Sequence, residues 1–243
     1  AGRCCADKLL MHATELGNEL CEKDCPIRKC METGLGYELE VYVHHKGGHR
    51  LPVQIRVAPI RDEHGEIVGA IQVFSENSHG LSDREGWRVL GLRETTCPLT
   101  SLPNRRFTEC MLASRLHELN RYNWSCGVLY ADIDRFREIN RTYGQGAGDA
   151  VIVMVATTLS HSVRAVDFLG RWSGEEFMAV LTNIDQKKLL EIAERASRLI
   201  TASYLASDDG EIRATVSVGV TLAVPGESVD ALVQRVIGLA EKS

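Results

Sequence analysis

No stretch of this 243-residue chain carries enough consecutive apolar residues to span a bilayer, so a membrane-crossing helix is excluded within it. Its start lacks the charged-then-apolar pattern of a secretory leader. Basic residues are in deficit: 28 Lys and Arg stand against 33 Asp and Glu, a formal net charge of −5, which disfavours a nucleic-acid polymer as partner. Also missing is the paired Cys-x2-Cys spacing common in zinc sites, although the chain has eight cysteines. Cys4, Cys5, Cys21, Cys25 and Cys30 cluster near the start, and Cys21-x3-Cys25-x4-Cys30 raises a metal or redox role. The other three are scattered, which argues against a disulfide scaffold and for free thiols. A soluble, cytoplasmic protein is the expectation.

What is present suffices for packed cores. Hydrophobic residues make up 44% and charged residues 25%, and the length suits one or two domains. Residues 7–33 read as mostly helical and polar, interrupted by Pro26. From Tyr37 to Lys46 apolar residues alternate, with Tyr37, Leu39, Val41 and Val43 on one strand face. Gly47-Gly48 is a hairpin turn, Leu51–Ile60 a second strand, Asp62-Glu63-His64-Gly65 a second turn and Ile67–Phe74 a third strand. Between 76 and 98, Ser82-Asp83-Arg84-Glu85 offers a helix start. Leu81, Val89, Leu90, Leu92 and Trp87 give an apolar seam that suits either a paired helix or one lying on its own domain.

The second half alternates strand and helix. Strands are predicted at 127–133, 168–172, 176–181 and 214–223, and helices at about 104–121, 135–142, 147–163, 186–203 and 228–242. This is an α+β pattern with helices around a mostly antiparallel sheet.

Two segments carry chemistry. Val128-Leu129-Tyr130-Ala131-Asp132-Ile133-Asp134 is an apolar strand that delivers two acids at its end. Arg171-Trp172-Ser173-Gly174-Glu175-Glu176-Phe177 reads as a tight hairpin with two carboxylates at its tip. Adjacent side chains on a strand point to opposite sides, so Glu175 and Glu176 can serve different roles. Asp132 and Glu175 would supply hard oxygen ligands for Mg²⁺. Asp134 is the better candidate to cap the helix that follows.

These segments, with Leu99-Thr100-Ser101-Leu102-Pro103-Asn104-Arg105, Phe136, Ile139-Asn140, Tyr143-Gly144, Gly148-Asp149 and Thr215-Val216-Ser217-Val218-Gly219, resemble the GGDEF domain of bacterial diguanylate cyclases in order and spacing. The three early strands resemble, more loosely, the C-terminal half of a PAS domain. The fold implied is a partial PAS-like antiparallel sheet domain (1–75), a helical linker (76–98), and a palm-like, ferredoxin/cyclase-type α/β sandwich (99–243). The resemblance implies an enzyme that condenses two GTP into cyclic di-GMP and pyrophosphate, working as a homodimer with Mg²⁺ or Mn²⁺.

By position, the resemblance makes Glu176 the catalytic carboxylate and Asp132, Ile133 and Glu175 the metal-binding positions. Phe136, Arg137, Asn140, Asp149, Ser173 and Gly174 become the substrate contacts, with Asn140 and Asp149 reading guanine. Arg164 and Asp167, with Arg195, become an inhibitory site for the product. The sequence departs from the family pattern at Ser173 and Ser101, both common glycines, at Cys97, commonly Asp, and at Arg137, Arg141 and Gln145. A non-catalytic module that binds GTP or cyclic di-GMP and signals through a partner is the alternative.

Overall fold

The computed structural model describes residues 11–15, 17–21, 24–76, 95–207 and 210–242. Most of the predicted linker, 77–94, lies outside the described residues.

The first unit is a three-stranded antiparallel sheet, β1 (Tyr37–His44), β2 (Arg50–Arg61) and β3 (Ile67–Glu76), in the order β1-β2-β3. Leu39 pairs with Ile55, Val41 with Val53 and Val43 with Leu51, so the predicted apolar face is the buried one. Helix α1 (Pro26–Thr33) closes that face, with Cys30 fully buried against it. Pro26 starts this helix, at the position where its missing N–H costs nothing. The helix predicted over 7–33 is therefore wrong in its described part before Pro26. Ala13 instead exchanges both backbone hydrogen bonds with Tyr42, each 2.8 Å, at the edge of β1, and this pairing overrides local propensity.

The second unit begins with α2 (Arg105–Tyr122), capped by the Asn104 side chain. There follow β4 (Cys126–Ile133), α3 (Phe136–Tyr143), α4 (Gln145–Ser162), β5 (Phe168–Ser173), β6 (Glu176–Thr182) and α5 (Gln186–Thr201). A short hairpin, β7 (Leu205–Ser207) and β8 (Gly210–Ile212), precedes β9 (Val216–Leu222) and α6 (Val229–Ala240). The sheet order is β5-β6-β4-β9, every pair antiparallel.

Both faces of this sheet are covered. Leu129, Ala131 and Ile133 of β4 join Phe177, Ala179 and Leu181 of β6 in a core under α4 and α5. Val128 and Tyr130 join Met178, Val180 and Trp172 in a core under α2 and α6. Burial on both sides is why these strands are continuously apolar rather than alternating.

The two units touch through the β1–β2 turn. Gly48 has φ +88°, and a Cβ there would meet the Leu205 side chain at 2.5 Å and the Tyr204 carbonyl at 2.8 Å. Only a glycine lets this turn seat on the chain leaving α5. Arg50, 1% exposed, donates to the carbonyls of Met11 and Ala202, and His44 stacks on Tyr204 with centroids 4.1 Å apart.

Candidate active site and comparison with known proteins

Asp132, near the end of β4, is the direct cross-strand partner of Glu176 at the start of β6. Residues two apart on a strand share a face, so Tyr130 stands beside them. Its hydroxyl donates to Glu176 Oε1 at 2.5 Å. Burial first, then the Glu176 carboxylate, pushes the Tyr130 phenol well above its ordinary range. Asp132 Oδ1 is buried with no hydrogen-bond partner. Its carboxyl is pushed up to about 6, first by burial and then by repulsion from Glu175, Glu176 and Asp134.

A buried orphan oxygen among like charges is a cation-binding environment. Ile133 has only its carbonyl to offer. Two carboxylates and a carbonyl are hard oxygen donors, which fits Mg²⁺ with waters and phosphate oxygens completing the shell. Among the described residues, no group of three or more His, Cys, Asp and Glu side chains is placed to hold an ion.

Asp134 does not cap α3. Its two oxygens accept from Thr215 Oγ1 (2.5 Å) and Ser217 Oγ (2.6 Å) at the start of β9. The residue before α3 is Arg135, with φ +53° and no side-chain cap.

Asn140 lies on α3 and Asp149 on α4. Asn140 Oδ1 is buried and unpartnered, and a Cβ on Gly148 would collide with it. Glycine at 148 thus leaves the room that this amide oxygen occupies. Asp149 sits beyond the first turn of α4, where helix-dipole stabilisation has faded. Phe136 packs against the core, and Arg137 is exposed.

The signature turn is held from behind. Arg171 donates to the Gly174 carbonyl through Nε (2.8 Å) and Nη2 (2.6 Å), and through Nη1 to Cys97 Sγ at 3.1 Å. Burial alone would raise the Cys97 thiol. Hydrogen bonds from Thr100, Arg171 and the Leu99 backbone outweigh it, and the net shift is downward. Ser173 is not among the residues with positive φ, so the serine there is unstrained.

The family model described as "Diguanylate cyclase, GGDEF domain" matches residues 95–238. The chain belongs to the GGDEF family. It is 34% identical over 125 residues to diguanylate cyclase DosC of Escherichia coli K12, covering 51% of this chain and 27% of that protein. Among solved structures, it is similar to diguanylate cyclase SiaD of Pseudomonas aeruginosa, solved with its activator SiaC. The TM-score is 0.60 at 30% identity, covering 67% of this chain and 65% of that one. It is also similar to the GGDEF domain of DgcB from Caulobacter crescentus in complex with c-di-GMP (TM-score 0.59, 26% identity, 61% and 89% covered). The chain spans about a quarter of the length of the curated relative.

Within this GGDEF domain, Arg164 to Asp167 form a tight turn. The Asp167 amide donates to the Arg164 carbonyl (3.0 Å), and Asp167 Oδ2 accepts from the Arg164 amide (3.1 Å). Asp167 Oδ1 accepts from the Thr182 amide (3.1 Å), and burial raises this carboxyl. Arg195 Nη2 donates to the Ser162 carbonyl at 2.7 Å. Arg164 and Arg195 line one pocket of about 440 Å³, whereas Asp167 is not part of its lining.

Sequence reasoning missed Tyr130 as a side chain of this site, although its place two residues before Asp132 was a usable signal. The Cys97–Arg171 contact spans 74 residues and had no local signal.

Proposed function

We propose that this chain is a diguanylate cyclase that joins two GTP molecules into cyclic di-GMP with release of two pyrophosphates. The observation that carries the reading is the convergence of Asp132, Glu175 and Glu176 at the β4–β6 end, with one Asp132 oxygen buried and unpartnered. Asp132, Glu175 and the Ile133 carbonyl would hold Mg²⁺ or Mn²⁺, which supplies charge stabilisation for the triphosphate and the departing pyrophosphate. Glu176, held by Tyr130, accepts the proton of the 3′-hydroxyl that attacks the α-phosphate of the other GTP. Asn140 and Asp149 read the guanine edge, with Phe136 and Arg137 beside the substrate, and the Ser173-Gly174 turn cradles the phosphates.

Each subunit holds one GTP, so the working unit is a homodimer with the sites facing each other. The N-terminal sheet acts as a partial PAS-like sensor (1–75) joined by the linker (76–98) to the cyclase (99–243), in the cytoplasm. Product binding at Arg164, Asp167 and Arg195 would limit the output.

A second reading is a GGDEF module that binds GTP or cyclic di-GMP without turnover. It is favoured by Ser101, which holds φ +57° where the family commonly has glycine. The deciding experiment incubates protein stripped of bound nucleotide with GTP and Mg²⁺ and resolves the products by chromatography and mass. Cyclic di-GMP from the wild type, and none from a Glu176→Gln variant that still binds GTP, is the expected result. No product from a GTP-binding dimer turns the assignment to the second reading. Wild-type turnover by Glu176→Gln overturns the role given to Glu176.

A further inference from the structure

One member of the early cysteine cluster sits in polar surroundings drawn from distant parts of the chain. Cys21 Sγ lies 3.6 Å from His12 Nδ1, and the other ring nitrogen, Nε2, lies 3.3 Å from the Gln72 amide nitrogen on β3. His12 is 1% exposed, and its ring stacks on Phe74 with centroids 6.0 Å apart. Burial lowers the His12 pKa, so the ring is neutral near pH 7. An amide nitrogen only donates, so Nε2 accepts and the one ring proton is on Nδ1. The Cys21 sulfur is therefore the acceptor of an Nδ1–H hydrogen bond. Arg50 adds charge: burial lowers its guanidinium, and Glu19, Tyr204 and Cys21, as anions, raise it against Arg213. Arg50 Nε is buried and has no hydrogen-bond partner. The same guanidinium donates to the carbonyls of Met11, next to His12, and of Ala202 in the cyclase domain.

We propose that Cys21 is a peroxide-reactive thiol, an oxidative modification site supported by His12, Gln72 and Arg50, and that Arg50 passes its oxidation to the cyclase domain. The thiolate is the reactive form, and a hydrogen-bond donor and a nearby guanidinium both favour negative charge on sulfur. The Cys21 thiolate attacks one oxygen of a hydroperoxide. An S–O bond forms, the O–O bond breaks, and the leaving hydroxide takes a proton from solvent to become water. Sulfur gives up two electrons, the peroxide is reduced by them, and the product is a sulfenic acid. Cys21 is only half-buried, so a small oxidant reaches it, whereas Cys30 and Cys126 are buried. Among the described residues no group of three or more His, Cys, Asp and Glu is placed to hold a metal, which leaves oxidation as the chemistry for this pair. The oxygen added to sulfur is a new acceptor, and the buried Arg50 Nε is a donor without one. A guanidinium drawn toward it gives up its hold on Ala202, and the contact between the two units loosens.

The test treats the reduced full chain with limiting hydrogen peroxide and dimedone, which traps sulfenic acid, and follows each cysteine by peptide mass spectrometry. Exposure alone would put Cys110 ahead of Cys21. The expected result is the reverse order. His12→Phe keeps the ring stack, and Gln72→Leu, at a half-buried position, removes the donor that fixes the tautomer. Each should slow the modification of Cys21 by about threefold or more, because the smaller thiolate fraction is partly offset by a more nucleophilic sulfur. Melting verifies the fold of both variants, and Gln72→Leu carries the test if His12→Phe does not fold. Cys110 ahead of Cys21 in the wild type, or an unchanged rate for Cys21 in Gln72→Leu, overturns the reactive site. In a second arm, peroxide without dimedone should lower the hydrogen-exchange protection of the Tyr204 amide, which donates to the Gly48 carbonyl across the contact. Cys21→Ser should abolish that response. Oxidation of Cys21 with Tyr204 protection unchanged overturns the transmission through Arg50.

Discussion

Tyr130 Oη donates to Glu176 Oε1 at 2.5 Å, and this bond ties the proposed base to the strand that carries Asp132. A hydrogen bond to a charged group contributes about 1.5–3 kcal/mol. If the bond fixes the Glu176 carboxylate for proton transfer, Tyr130→Phe loses position while the phosphate and guanine contacts persist. The expected outcome is a fall in kcat of about tenfold or more with KM for GTP little changed, read from steady-state pyrophosphate release. A variant with wild-type kcat shows that Tyr130 is only a packing residue.

Cys97 stands where the family commonly has an acid, and it accepts a hydrogen bond from Arg171 at 3.1 Å. Arg171 in turn clamps the Gly174 carbonyl, so the sulfur orients the turn expected to hold the phosphates. Against the opposing effect of burial, hydrogen bonds from Thr100, Arg171 and the Leu99 backbone lower the Cys97 pKa. Cys97→Ala should raise KM for GTP by about three- to tenfold, whereas Cys97→Asp should retain wild-type values. Iodoacetamide should label Cys97 long before Cys126, which is buried and pushed up to about 12. Identical kinetics for the alanine and aspartate variants would show that the pair does not position the turn.

The parts of the fold written in local pattern were legible. β4 is a continuous apolar run because both of its faces are covered, and its terminal acid falls at the sheet end where Glu176 pairs with it. Asn104, Asp185 and Ser228 cap α2, α5 and α6 as their side chains permit. Contacts between distant segments were not legible. The Asp134 carboxylate is claimed by Thr215 and Ser217 across more than 80 residues, so a local capping argument failed. The Arg50–Ala202 contact spans 152 residues, and no period in either segment announces it. The segment before Pro26 failed for the same reason: Ala13 pairs with Tyr42 of β1, and the chain turns back so that Leu20 donates to the His12 carbonyl instead of continuing a helix.

Two serines replace common family glycines, and the backbone treats them differently. Ser101 has φ +57°, a left-handed conformation that costs a side-chain-bearing residue about 1–2 kcal/mol, while Ser173 is outside that region. Ser101→Gly should therefore stabilise the protein. The gain is reduced by glycine's greater freedom when unfolded, which leaves about 0.5–1 kcal/mol, or roughly 2 °C in Tm. Ser173→Gly should not stabilise. Differential scanning calorimetry of the two variants checks both statements, and an equal shift in the two would refute the distinction.

The contact between the two units carries two histidines with depressed pKa values. His44 is pushed down to about 4 by burial and then by Arg50, with His45 and Arg213 adding to this and Glu211 opposing it. His49 is pushed down to about 4 by burial and then by His45 and His161, with the Gly47 backbone hydrogen bond opposing. The undocked state, with values near 6.5, binds protons first. Docking is thus fully stabilised above about pH 6.5 and weakens as pH falls toward 4. The Tyr204 amide, which donates to the Gly48 carbonyl at 3.2 Å across the contact, is the reporter. Its hydrogen-exchange protection, corrected for intrinsic rate, should fall between pH 7 and pH 5. A His44→Phe, His49→Phe double variant should lose that pH dependence while keeping the stacking area on Tyr204. Equal protection of the wild type at both pH values would mean that protonation of these rings does not govern the docked state.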